Sequence, residues 1–431
     1  MSIRQTGLFS TGGESLTTTT TAVRPSQAGI CTGSPDAPAR ASGGHLARRG
    51  SATLVLASSM VISFLAASAA PTPLYGRYEQ LWHATPLIGT IAFAVYALAV
   101  LAGLLWLGEV AVLLGRRRIL LLALGGQIVA LVLFALAGSF TLVLIGRAVQ
   151  GVAAGAALGV LSATMIESDP ERGTIASAAS PGAGSGLGAI LSGLAVSFLP
   201  GPTHTIYLAM VGVMVLQAAA VARLIPRASR RAIPRSALIP RVMVARNARG
   251  AFRATAPVIF AVWGLAGFYA ALSPALFIAL TGSASVWESA LGMFLFASVA
   301  SASTVLLRSA TGRALTITGA ATMLAGLAVT VVAVLIDSVA LYFVASTVVG
   351  VGFGAGFQGP IRTLVPLARP KERAGLMSAV FVVAYLGMAI PAVICGALAS
   401  GILSLTTVTV AIAIALALLS GGALLATVRE R

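Results

Sequence analysis

The stretch Leu144–Gly159, LIGRAVQGVAAGAALG, decides how the rest of the chain is read. It places Arg147 inside an apolar run from about Phe140 to Met165, long enough to cross a bilayer as an α-helix. A charge at that depth is costly, so its presence points to a function. At helical spacing Arg147, Gln150, Gly151, Ala154 and Gly155 share one face, and Gly151, Gly155 and Gly159 extend it as overlapping GxxxG steps. Two readings are open. Arg147 lines a transport pathway on a tightly packed helix, or it is held by backbone carbonyls for structural reasons. Gln150, one turn on, adds a second hydrogen-bonding group to the face and favours the first.

Composition sets the class. The 431 residues are 58% hydrophobic and 9% charged, where soluble domains carry about 25% charged residues. This is an integral membrane protein. The net charge of +17, from 28 basic and 11 acidic residues, would suggest a nucleic-acid partner in a soluble chain; its placement argues against one here. Two cysteines, Cys31 and Cys395, make neither a disulfide framework nor a metal or haem motif.

Twelve apolar runs are each long enough to span, at about 52–72, 87–110, 118–138, 140–165, 174–199, 204–225, 255–280, 286–307, 314–336, 338–365, 374–399 and 403–427. The predicted fold is all-α, with twelve transmembrane helices in two six-helix bundles. Residues 1–50, with a five-threonine run and no apolar periodicity, read as a disordered cytoplasmic tail, with a start nearer residue 45 as the alternative. Residues 51–225 form the first bundle, 226–253 a basic cytoplasmic linker, and 254–428 the second bundle. One side of the predicted membrane receives 25 of the 28 basic residues, and the other only Arg77. The positive-inside rule therefore sets both termini in the cytoplasm, in a multi-pass protein of the cell inner membrane. The halves echo each other: an offset of 201 sets Arg172 on Arg373, PERGTIASA against KERAGLMSA, and Gly151 and Gly155 on Gly352 and Gly356.

Twelve helices in two halves, a basic central loop and the RAVQG element together resemble the major facilitator superfamily of secondary transporters, over about residues 50–428. In that family the loop after the second helix carries a glycine, an acid four positions on, and a second glycine followed by basic residues. Here GEVAVLLGRR supplies Gly108, Gly115, Arg116 and Arg117, but Val112 stands at the acidic position. Glu109 could serve instead as partner of Arg116 or Arg172. Arg147, Gln150, Gly151 and Gly155 match the family's fourth-helix motif, whose arginine is linked to proton movement in proton-coupled exporters. Pro181 and Gly184, in ASPGAGSGLGAILSG, resemble the proline–glycine motif of the antiporter branch. APTPLYGRY is similar to a segment of bacterial efflux permeases in the superfamily. In physical terms Pro71 and Pro73 end the first helix, while Pro181 and its flanking glycines permit a kink and close packing.

The polar residues available to line a central cavity are few: Ser63, Tyr96, Arg147, Gln150, Tyr269, Gln358, Arg362 and Tyr385. Arg362 is also close enough to the cytoplasmic end to snorkel. No carboxylate lies at mid-depth; Glu79, Glu288 and Glu109 are the nearest candidates for a titrating group. The resemblance implies a proton gradient as energy source, with no cofactor and no metal. A cavity poor in charge suits hydrophobic or amphipathic solutes, so the expected function is proton-coupled export of such small molecules by alternating access. Uptake or facilitated transport of a small metabolite is the alternative; a non-transporting scaffold or sensor is more remote. No nucleophile motif or phosphate loop supports an enzyme. The expected partners are the lipid bilayer and a small-molecule substrate, not nucleic acid, and the resemblance implies a monomer. Arg147→Ala is expected to leave abundance near normal and abolish transport.

Overall fold

The computed structural model describes residues 39–227, 234, 239–283 and 285–429, with the side chains of 39–49, 109, 112, 202, 426, 428 and 429 outside that description. The chain divides into two units, Met1–Gly44 and His45–Arg431, and every stretch of membrane-spanning length among the described residues lies in the second. The predicted tail falls mostly outside the described residues, as does Cys31, although helix already begins at Ala39.

Thirteen helices are described: α1 (Ala39–Ala69), α2 (Tyr75–Leu81), α3 (Pro86–Leu114), α4 (Arg116–Ala135), α5 (Phe140–Ser168), α6 (Pro170–Phe198), α7 (Pro202–Leu224), α8 (Arg249–Thr281), α9 (Val286–Leu306), α10 (Gly312–Leu335), α11 (Val339–Leu364), α12 (Arg373–Ala399) and α13 (Leu405–Arg429). Twelve helical stretches are long and apolar enough to span a membrane, the first running from Gly50 to Leu81, and no strand occurs among the described residues. Local chemistry sets the breaks. Gly115 adopts φ 84° between α3 and α4, a conformation that glycine enters without steric cost. Asp169 accepts a hydrogen bond from the Arg172 backbone N–H at 3.0 Å and Pro170 starts α6, a capped entry that needs no longer linker.

Pro71 and Pro73 do interrupt the first span as expected, but they do not finish it. A short 3₁₀ turn, Thr72–Leu74, leads directly into α2, which carries Tyr75 and Tyr78 into the core. The linker also differs from its predicted 226–253 extent. Residues 228–233 and 235–238 lie outside the described residues, while Met243 donates its backbone N–H to the Gly375 carbonyl at 3.2 Å and Ala245 and Ala248 are buried. The last residues of the linker are thus docked on the start of α12, and α8 begins at Arg249, inside the expected loop.

The first half packs α5 against α3 and α4, with α7 outside against α4; the second packs α11 against α9 and α10, with α13 outside against α10. Glycines set the spacing. A Cβ on Gly151 would lie 2.5 Å from the Tyr96 carbonyl oxygen, and one on Gly155 would strike the carbonyl of Val100, so α5 and α3 touch backbone to backbone. Gly159 has open space instead, so the third step of the expected glycine face does not pack.

The equivalent contact between α11 and α9 uses Gly350, against the Phe296 carbonyl, and Gly354, against that of Ala300. These glycines lie two positions short of the 201-residue offset; Gly352 and Gly356 face Met323, Gly319 and Val262. The slip arises because α5 passes to α6 through Asp169 alone, whereas a 3₁₀ turn, Val365–Leu367, and five further residues separate α11 from α12. In the corrected register Ser346 occupies the place of Arg147 and donates to the Tyr342 carbonyl at 2.8 Å. Among the described residues the buried cation therefore belongs to the first half only.

Two seams join the halves. Gly184 and Gly188 of α6 abut Ile62 and Ala66 of α1, while Gly182 and Gly186 on the same helix abut Ala297, Ser301 and Phe294 of α9. Ser301 Oγ also donates to the Ala179 carbonyl at 2.7 Å, next to the helix-interior Pro181. At the second seam Gly396 of α12 meets Thr90 of α3, and the Leu87 N–H donates to Ser400 Oγ at 3.1 Å.

Candidate functional site

The break in the first span creates a chemical demand. The last carbonyls of a helix have no intrahelical donor, and Pro71, which would ordinarily supply the N–H for Ala67, has none. Side chains from α5 and α6 meet that demand. Gln150 Nε2 donates to the Ala67 carbonyl at 3.0 Å, Arg147 Nη1 to that of Ser68 at 2.7 Å, and Ser192 Oγ to that of Ala70 at 2.6 Å.

Arg147 is 0% exposed. Its Nη1 also donates to Gln150 Oε1 at 2.9 Å, and Nε and Nη2 donate to the Tyr75 hydroxyl at 2.8 and 2.5 Å. The guanidinium carbon lies 5.5, 5.3 and 5.8 Å from the ring centres of Tyr75, Tyr96 and Phe134. No carboxylate among the described residues pairs with it; the partial negative charge at the end of α1, the hydroxyl and three π-faces hold it instead. Behind it, Gln127 Nε2 donates to the Gln150 backbone carbonyl at 3.2 Å, and the Tyr78 and Tyr207 hydroxyls lie 3.2 Å apart. In this conformation Arg147 binds the broken end of the first span, and the APTPLYGRY and RAVQG elements form one physical unit.

The other polar candidates do not all join that unit. Tyr96 does, through its ring, and Tyr385 packs into the same apolar core. Tyr269 lies elsewhere, stacked on Phe296 at 4.9 Å and near Tyr342, whose hydroxyl shares a short hydrogen bond with Ser273. Gln358 and Arg362 cap the end of α9: Arg362 Nη1 donates to the Arg308 and Ala310 carbonyls at 2.7 Å each, and Gln358 Nε2 to that of Thr304 at 3.2 Å. Ser63 donates to Gln217 Oε1 at 2.9 Å, against α7.

At the basic end, Arg116 pairs with Glu167 at 2.6 Å and Arg172 with Asp169 at 3.9 Å. The expectation that Glu109 partners one of these arginines falls on a side chain outside the described residues. Gly108 meets open space, and Arg117 lines a cleft beside Arg118 and Arg227.

Residues not singled out from sequence complete the centre. Trp263 of α8 lies 5.8 and 5.2 Å, ring to ring, from Phe353 and Phe357 of α11 and 5.0 Å from Tyr385 of α12. It is partly exposed and packs against all three apolar cores: one drawn mainly from the first half, one from the second, and a small one around the linker and α12. Its indole Nε1 is buried without a hydrogen-bond partner among the described residues. The one signal in the sequence is the four-residue spacing of Phe353 and Phe357, which sets both on one helical face.

The sequence profile of the Major Facilitator Superfamily matches residues 50–392. The chain belongs to this superfamily. Among solved structures, the nucleoside transporter NupG aligns with TM-score 0.66 and 13% identity, over 87% of this chain and 99% of that one, which shows a shared fold. A search of curated protein sequences finds no match. As a member of this superfamily the chain is a multi-pass secondary transporter and not an enzyme.

Proposed function

We propose that this superfamily member exports hydrophobic or amphipathic small molecules bearing a flat aromatic group, by alternating access between its two bundles and at the expense of a proton gradient. The reading rests on one observation: Trp263, Phe353, Phe357 and Tyr385 converge where the three described apolar cores meet, with an indole N–H that has no partner among the described residues. Such a group of rings binds planar solutes by stacking, and a single donor orients them. The glycine seams of α6 supply a surface on which one bundle can rock against the other.

A proton carrier is required. Glu79, four residues beyond Tyr75 on α2, is partly buried and is the carboxylate nearest in sequence to the Arg147 site. It is the group we assign to coupling. The one-sided distribution of basic residues supports insertion in the cytoplasmic membrane with both termini inside, and we take a monomer as the working unit.

Uptake of a small metabolite is the second reading. The same rings and indole N–H fit a nucleobase, and the neighbour NupG is a nucleoside transporter.

Vesicles holding the purified protein and preloaded with a lipophilic cationic dye, with and without an imposed pH gradient, test the proposal. Gradient-driven dye movement, lost in Trp263→Ala, is expected. Equal dye retention in loaded and protein-free vesicles overturns export, and gradient-independent entry of a labelled nucleoside establishes the second reading.

A further inference from the structure

Between the end of α3 and the start of α4 lies a cavity of about 160 Å³ lined by Leu114, Gly115, Arg117, Arg118, Leu121 and Arg227. Three arginines line this one small space, and like charges so gathered repel one another unless an anion joins them. The carboxylate described in the neighbouring cleft is already engaged. Glu167 pairs with Arg116 at 2.6 Å, in the neighbouring cleft that also contains Arg227, and residues 110–115, VAVLLG, bring no acid of their own.

Arg118 Nη1 is shielded from solvent and has no hydrogen-bond partner among the described residues. A charged donor is costly to leave in that state. The positive φ of Gly115 ends α3 and starts the 20-residue α4 at Arg116, so the N–H groups of Arg116 and Arg117 stand at a helix N-terminus with no intrahelical acceptor. Guanidinium forks and free N–H groups together match the oxygens of a phosphate. Leu114 and Leu121 line the same space, so part of its lining is apolar.

We propose that this cavity binds a phosphate group, carried either by an anionic lipid headgroup or by a soluble phosphate. The bound anion neutralises Arg117, Arg118 and Arg227 together and ties the α3–α4 turn to the end of α7.

The test uses the full chain purified in phosphatidylcholine nanodiscs, titrated with phosphatidylglycerol and separately with inorganic phosphate, with bound ligand read by native mass spectrometry. Wild-type protein is expected to retain at least one probe. Lipid binding that inorganic phosphate does not displace identifies a headgroup site, and displacement by inorganic phosphate identifies a soluble one. The double substitution Arg117→Gln with Arg118→Gln should weaken binding at least about tenfold, whereas Arg308→Gln, away from the cavity, should not. Leu121→Phe fills the space with every charge retained and should weaken binding equally, so the outcome does not depend on the double variant folding. Retention of neither probe by wild type, or unchanged binding in Leu121→Phe and in a folded double variant, overturns the proposal.

Discussion

Gln150 Nε2 lies 3.0 Å from the carbonyl oxygen of Ala67, the one acceptor that Pro71 deprives of its helical donor. Gln150→Leu should therefore cost about 1–3 kcal/mol by leaving that carbonyl unsatisfied. Pro71→Ala restores a backbone N–H four residues on and should recover much of the loss. Thermal unfolding of the two single variants and the double variant forms a cycle, and strictly additive effects would count against the pairing.

Arg147→Ala removes four hydrogen bonds and a cation seated among three rings. Sequence alone leads to an expectation of near-normal abundance and lost transport; the geometry revises this to a loss of folded protein, by about 3 kcal/mol or more. Yield and melting temperature after solubilisation measure it. Arg147→Lys keeps the charge but cannot reach Ser68, Gln150 and Tyr75 with one fork, so it should fall between alanine and wild type.

Gly155 and Gly159 separate packing from mere composition. Gly155→Ala forces α5 from the α3 backbone and should lower the melting temperature. Gly159→Ala meets open space and should be neutral or stabilise by up to about 1 kcal/mol through helix propensity. Equal effects in parallel unfolding measurements would show that the α3–α5 contact does not depend on Gly155.

Glu79→Gln tests the coupling assignment. The neutral isostere should abolish the response of transport to an imposed pH gradient while leaving substrate counterflow intact. A gradient response kept in this variant would move the proton site elsewhere, with Glu288, which accepts from Ser283 Oγ at 3.4 Å, the next to substitute.

Class, the twelve spans and the charge buried within RAVQG are legible along the chain. Bilayer thickness fixes a length of apolar sequence, and a charge within such a length is conspicuous whatever it touches. Periodicity likewise puts Arg147, Gln150, Gly151 and Gly155 on one face. What that face meets is settled by packing. A helical wheel does not reveal that Tyr75, beyond two prolines, turns back to receive Arg147, or that Gly155 touches a neighbouring backbone while Gly159 does not. The repeat register depends on the unequal links after α5 and α11, which similarity between short segments does not weigh. Trp263 is illegible in sequence because a tryptophan in an apolar run looks like any core residue until three helices bring its partners together. Local spacing is written along one chain; convergence of side chains from distant helices is a property of packing.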